Sequence, residues 1–207
     1  MTHYGMAIDT RRCVGCNACT TACKMANNVP AGVFWTRALT DGGDAPDTPA
    51  GTFPSVRMSY LTVGCQHCEN PACVKVCPVG ATYRDPETGV VRQDYDKCIG
   101  CRMCMSACPY NGVRSFNWEE PSYVVDFAMG DADVPPHQKH VVEKCTMCWH
   151  RLAKGEEPMC VKTCLARARF WGDLDDPESE VAKLVRERSS KQLLADEGTK
   201  PSVYYLV

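Results

Sequence analysis

The chain has 207 residues, enough for one domain or two small ones. Its hydrophobic share of 44%, charged share of 23% and net charge of −2, with the basic residues scattered, exclude any electrostatic pull toward nucleic acid or anionic lipid. The sixteen cysteines are out of proportion. A disulfide scaffold this rich in cysteine is normally short and secreted, so metal binding is the better first reading.

In chain order, "MTHYGMAIDTRRC" has neither an apolar h-region nor a small-residue cleavage site, so no signal peptide is expected. No stretch reaches the roughly 18 to 20 apolar residues of a spanning helix. "IDTRRCVGC" leads into the first cysteine group, Cys13, Cys16, Cys19 and Cys23, spaced x2, x2, x3. The breaker-rich "TDGGDAPDTPAGTFP" (40–54) reads as a surface loop. The second group, Cys65, Cys68, Cys73 and Cys77, is spaced x2, x4, x3 and closed by Pro78; the strand-like "ATYR" (81–84) follows. "QDYDKCIGC" (93–101) then aligns with residues 8–16, Asp94 and Asp9 each standing four before a cysteine. It opens the third group, Cys98, Cys101, Cys104 and Cys108, spaced x2, x2, x3, with Pro109 next and "VRSF" (113–116) as its strand. Residues 117–140, including "GDADVPPHQKH", form a second excursion, of a length that favours a partner-facing role. The fourth group, Cys145, Cys148, Cys160 and Cys164, is spaced x2, x11, x3 and followed by "RFW" (169–171). "DDPESEVAKLVRERSSKQLL" predicts a helix capped by Asp176 with Pro177 first and Glu178 and Glu180 in its first turn; Val181, Leu184 and Val185 keep helical spacing. "SVYYLV" ends the chain as a strand.

Four groups of four leave no cysteine over. Disulfides would place C-x2-C neighbours badly for bridging, and zinc, with two C-x2-4-C pairs, suits the fourth group alone. The first and third groups carry the C-x2-C-x2-C-x3-C run of bacterial-type [4Fe–4S] sites; the third also has the closing proline. In that pattern three thiolates hold three corners of one cube. The fourth, starting a helix that points away, serves the neighbouring cube. Sixteen thiolates therefore predict four [4Fe–4S] clusters.

Gly15 and Gly100 are expected in tight loops that let backbone amides approach cluster sulfurs, with Met147 in the same slot of the fourth group. His67 and His150 read as polar residues of exposed loops, since no C-x2-H pairing supports a Rieske site. Trp149 and Trp171 read as packing residues, and Met103, Met105 and Met159 as adaptable filler around the clusters. Nothing resembles a catalytic triad, a phosphate loop or a paired-carboxylate site, so the chain reads as a wire rather than a reactor.

Each unit reads as strand, cluster loop, helical turn, strand. The expected class is α+β, with two bacterial-ferredoxin-like βαβ modules. Residues 55–116 make a compact central module, and 1–24 with 141–172 an outer one, bringing both ends of the chain together. Residues 25–54 and 117–140 are inserts, and 173–207 a C-terminal strap. Sequential pairing of the first group with the second is the alternative.

Taken in order, these four motifs resemble the four-cluster electron-transfer subunit of molybdopterin oxidoreductases, the family of dimethyl sulfoxide, polysulfide, tetrathionate and respiratory arsenate reductases. The resemblance runs from "YGMAIDTRRCVGCNACTTACK" to "PSVYYL". It implies crossed ligand sets: Cys13, Cys16, Cys19 and Cys164; Cys145, Cys148, Cys160 and Cys23; Cys65, Cys68, Cys73 and Cys108; Cys98, Cys101, Cys104 and Cys77. It places the Cys13 cluster nearest a molybdopterin catalytic subunit and the Cys98 cluster nearest a quinol-linked membrane anchor. Some relatives carry an aromatic residue where this chain has Cys101 and hold three irons there, so Cys101 implies four. Lys24 and Leu165 depart from the proline that follows the last cysteine elsewhere. The resemblance also implies peripheral attachment to a membrane, after export with the partner to the extracytoplasmic face, and a role in anaerobic respiration. A free-standing soluble polyferredoxin is the rival function.

Overall fold

The computed structural model describes residues 2–40, 42 and 47–207; part of the 40–54 loop expectation therefore lies outside the described residues. Among the described residues no helix is long and apolar enough to cross a membrane.

The principal sheet has four strands, β1 (Tyr4–Asp9), β10 (Arg169–Asp173), β11 (Ser190–Lys191) and β12 (Val203–Leu206), in the order β10-β1-β12-β11. β1 runs antiparallel to β10, with Met6 opposite Trp171, and parallel to β12, with Met6 opposite Val203. Both faces of β1 are covered, which explains its nearly unbroken apolar run. Met6, Ile8, Val203 and Tyr205 face a core that includes Cys19, Cys160, Met147 and Leu152. Ala7 and Leu206, on the other face, pack under Val181 of helix α6 (Glu180–Glu187). The C-terminal segment is thus more than a strap, since its last strand lies inside the sheet. α6 also starts later than expected. Ser179 is its cap, its Oγ accepting from Ala182 N at 3.2 Å, while Asp176 accepts from Glu178 N at 2.9 Å in the turn before it. A carboxylate already engaged by that turn cannot also cap the helix.

Elsewhere the strands form two-stranded ladders: β2 (Thr36–Thr40) with β5 (Tyr60–Gly64), β3 (Ala50–Thr52) with β4 (Ser55–Arg57), β6 (Thr82–Arg84) with β7 (Val91–Gln93), and β8 (Arg114–Phe116) with β9 (Val142–Lys144). The described end of the 40–54 loop is therefore part of a hairpin. Apart from β3–β4, the strand entering each cysteine group pairs with the strand leaving the preceding one, and β1–β10 closes the ring. The central region is consequently not self-contained. β5 and β8, which flank it, pair outward with β2 and β9 rather than with each other.

The excursion 117–140 has no regular structure but is tied down. Asp131 N donates to Ala26 O, Ala31 N donates to Ser122 O, and buried His137 meets Glu143 Oε1 at 2.6 Å and Asn27 O at 2.9 Å.

Candidate metal centres

All four C-x2-C loops turn the same way. The residue before the second cysteine is left-handed in each: Gly15 at φ 66°, His67 at 44°, Gly100 at 68° and Met147 at 55°. That turn aims amides back at the first thiol of the pair. Gly15 N–H donates to Cys13, and Met147 N–H lies 3.4 Å from Cys145 Sγ, so methionine supplies the same contact as glycine. The glycines' bare faces, however, point away from the thiols. A Cβ on Gly15 would meet the Tyr60 ring and one on Gly100 the His140 carbonyl, so outward packing demands glycine there.

Four helices carry the third cysteine of each group: α1 (Ala18–Ala26) Cys19, α2 (Ala72–Lys75) Cys73, α3 (Met103–Ser106) Cys104 and, beyond the short α4 (Trp149–Leu152), α5 (Met159–Lys162) Cys160. The fourth cysteine does not start a helix. Cys23 lies in the last turns of α1, and Cys77, Cys108 and Cys164 just follow their helices. Four residues after the third cysteine, the fourth is displaced by one turn along the axis and so presents its thiol to a different space.

Two spaces are lined by thiols from different groups. Cys13, Cys16 and Cys19 share one cavity with Cys164; Cys98, Cys101 and Cys104 share another with Cys77. Cys23 packs with Cys145, and Asn27 Nδ2 stands 3.7 Å from both Cys23 Sγ and Cys148 Sγ. Cys108 packs with Cys68 and faces Cys65 and Cys73. Among the described residues no three metal-ligating side chains converge on a point that would hold a single ion.

Burial raises several of the thiols. It pushes Cys145 up to about 12 and Cys68, Cys108 and Cys160 to about 11, so as free thiols they would keep their protons at neutral pH. Two thiols differ, burial working to raise each: N–H groups of Thr82, Val79 and Ala81 hold Cys77 below the usual range, and His67, Lys144 and Arg114 hold Cys65 well below it. Further donors reach other thiols, Ala168 N standing 3.2 Å from Cys164 Sγ. Cations sit deeper. Arg114, Lys144 and Arg169 are all buried, and Arg114 Nη2 has no partner in the protein. Soft thiolates, inward N–H groups and buried positive charge fit an anionic iron–sulfur cluster.

Two expectations fail here. His67 and His150 are not in exposed loops; both are buried, His67 Nδ1 accepting from Val91 N at 3.2 Å and His150 Nε2 lying 3.0 Å from Asp131 Oδ2. Each loop folds under the neighbouring strand or excursion, which residue type alone cannot reveal. Met103 is half-exposed, whereas Met105 packs against Cys73 and Cys104. Trp171 packs on Tyr4 at 5.2 Å, and Arg92 covers Trp149 at 4.1 Å. Lys24, in place of proline, ties down the loop after α1 by donating to Val29 O at 3.2 Å and Val33 O at 3.0 Å. Asp9 and Asp94 perform the same task in the repeat. Each carboxylate accepts from the amides two and three residues on, fixing the approach to its cysteine loop. Asn27 and the buried cations escaped the sequence reading, because only their tertiary neighbours distinguish them.

A chain that wraps cysteine loops of this kind between paired strands is a ferredoxin-type [4Fe–4S] protein. The 4Fe-4S dicluster domain family matches residues 56–124 and 133–174, more than half the chain, and a 4Fe-4S binding domain matches residues 10–26. The chain is 52% identical to the candidate iron-sulfur subunit of a dimethyl sulfoxide reductase in Halobacterium salinarum, over all of this chain and 79% of that protein. It is 40% identical to the arsenate respiratory reductase iron-sulfur subunit of a Shewanella species, over 98% and 95% of the two chains. With a selenate reductase subunit from Mesobacillus selenatarsenatis it shares 42% identity, over 97% and 70%. The chain belongs to the family of iron–sulfur electron-transfer subunits of molybdopterin oxidoreductases, with [4Fe–4S] clusters as its cofactors.

Proposed function

We propose that the chain holds four [4Fe–4S] clusters in the crossed sets Cys13/Cys16/Cys19/Cys164, Cys145/Cys148/Cys160/Cys23, Cys65/Cys68/Cys73/Cys108 and Cys98/Cys101/Cys104/Cys77. The observation that carries this reading is the cavity lined by Cys13, Cys16, Cys19 and Cys164, which joins thiols from opposite ends of the chain. The second shared cavity, of Cys77 with Cys98, Cys101 and Cys104, supports it. The clusters supply one-electron chemistry when bound. The chain's own part is to order them, bury them and set the charge around them. Residues 1–24 with 141–172 form the outer two-cluster unit and 55–116 the central one, their strand ladders shared.

The subunit relays single electrons between a molybdopterin catalytic subunit, on the side of the Cys13 cluster, and a quinol-linked membrane anchor on the side of the Cys98 cluster. It is attached peripherally on the extracytoplasmic face. Anaerobic purification of the tagged chain from its own host, with mass spectrometry and molybdenum analysis, tests this. A large molybdenum-bearing companion is expected. A chain that elutes alone, loaded with iron and free of molybdenum, overturns the reading in favour of a soluble polyferredoxin. For the ligand sets, C16S and C164S must each change the same electron paramagnetic resonance signal; changes in different signals refute the crossed pairing.

A further inference from the structure

The strands that follow the third and fourth cysteine groups both begin with arginine. Arg114 opens β8 six residues after Cys108, and Arg169 opens β10 five after Cys164. Both are buried, at 5% and 7% exposure, where an unanswered guanidinium charge is costly. Among the described residues no carboxylate pairs with either. Arg169 points Nη1 at Cys160 Sγ, 3.7 Å away, and Nη2 at Thr36 Oγ1, 3.5 Å away. Arg114 Nη1 donates to Gln93 Oε1 at 3.4 Å, and its Nη2 is an orphan. The ionisable groups that face them are mainly thiols, in each case from two centres, with the Tyr205 hydroxyl also beside Arg169. Around Arg169 stand Cys160 and Cys145 of one set and Cys19 of the next; around Arg114 stand Cys73, Cys65 and Cys108 of one set and Cys104 of the next.

We propose that Arg114 and Arg169 are junction cations, each set between two successive clusters and raising the reduction potential of both. The inference rests on the ligand sets proposed above. Each transfer removes one electron from one cluster and adds one to its neighbour; no bond forms or breaks and no proton moves. The electron adds a negative charge, which a fixed cation stabilises. A cation between two clusters lifts both together, so the pair fills more readily while the step between them stays level. A guanidinium does not release its proton in a protein, so this compensation is independent of pH.

The test is a redox titration of the anaerobically purified complex, followed by electron paramagnetic resonance, for the wild type, R114Q, R114K, R169Q and R169K. Four titrating signals and about sixteen irons in the wild type check the four-cluster reading before any variant is compared. R114Q is expected to lower two of the four midpoints by at least tenfold in the reduction equilibrium, ~59 mV for one electron, with R114K restoring them. R169Q is expected to lower the other two. Shifts in overlapping pairs would show that the ligand sets are wrong although the cations tune. Unmoved midpoints in fully loaded R114Q, or R114K as low as R114Q, overturn the proposal. Should R114Q not load iron, R169Q decides on the same criteria. If neither glutamine variant loads while both lysine variants do, the arginines serve assembly and the proposal falls.

Discussion

Gly100→Ala separates two costs that a cysteine loop combines. Gly100 sits at φ +68°, and a Cβ there would lie 2.5 Å from the His140 carbonyl oxygen and 3.3 Å from the Phe116 ring. The left-handed conformation costs an alanine ~1 kcal/mol, and Met147 and His67 show that side chains are accommodated in the same turn. The overlap costs more, since ordinary contact begins at 3.4 Å and the loop must retreat by nearly 1 Å from a backbone atom. His140 cannot easily yield, because its N–H donates to Asn117 O at 2.7 Å. Overpacking of this kind adds about 2 kcal/mol. Gly80→Ala is the control, at φ +66° with nothing within 4 Å, and carries the conformational cost alone. An anaerobic guanidinium titration followed by cluster absorbance should place G100A about 2 kcal/mol below G80A. Equal resistance of the two variants would refute the close-approach reasoning and leave only the backbone conformation.

Three further outcomes follow from the fold. Ser179→Ala should lower stability by about 1 kcal/mol through loss of the α6 cap, and Asp176→Ala by less, as read from amide exchange in α6. The reverse order would restore Asp176 as the cap. Val181→Ala, on the fully buried face of α6, should cost about 2 kcal/mol and open 176–190 to limited proteolysis; an unchanged cleavage rate would mean the helix is held by something else. At Asp85, burial works to raise the pKa, but N–H groups of Glu87 and Thr88 and the Arg92 guanidinium hold it below its ordinary 3.8. A depressed folded-state pKa gives stability that is full above the unfolded value of about 3.9 and is lost as pH falls through the folded one. Amide exchange in the β6–β7 hairpin should therefore quicken with acid in the wild type and respond less in D85N. Identical acid profiles would remove Asp85 from the hairpin's stability.

Much of the candidate site was legible because its signals are local. A C-x2-C turn needs one left-handed residue, and an aspartate four before the cysteine fastens the approach, so both repeat visibly in "IDTRRCVGC" and "QDYDKCIGC". The strands at 82–84, 114–116 and 169–173 fell where short β-rich runs were read. β2 was not legible, since Thr36–Thr40 alternates weakly and gains its place only by pairing with β5. Nor was the burial of His67 and His150, whose loops are covered by residues distant in sequence.

By itself, then, the sequence determined the cofactor chemistry, because thiolate identity and loop spacing act over a dozen residues and need no distant partner. It also determined the electron-transfer class, since every cysteine fell into a four-thiol group and none was left over for another task. The tertiary structure decided which thiols share a space and which charges stand beside them. Cys164 reaches the cavity of Cys13 because β1 pairs with β10, which sets Ile8 opposite Arg169. Arg114 and Arg169 become buried cations because the strands they open are drawn inside by ladders to β9 and β1. Contacts made through sheet pairing depend on register and closure between strands distant in sequence, and no local spacing encodes them.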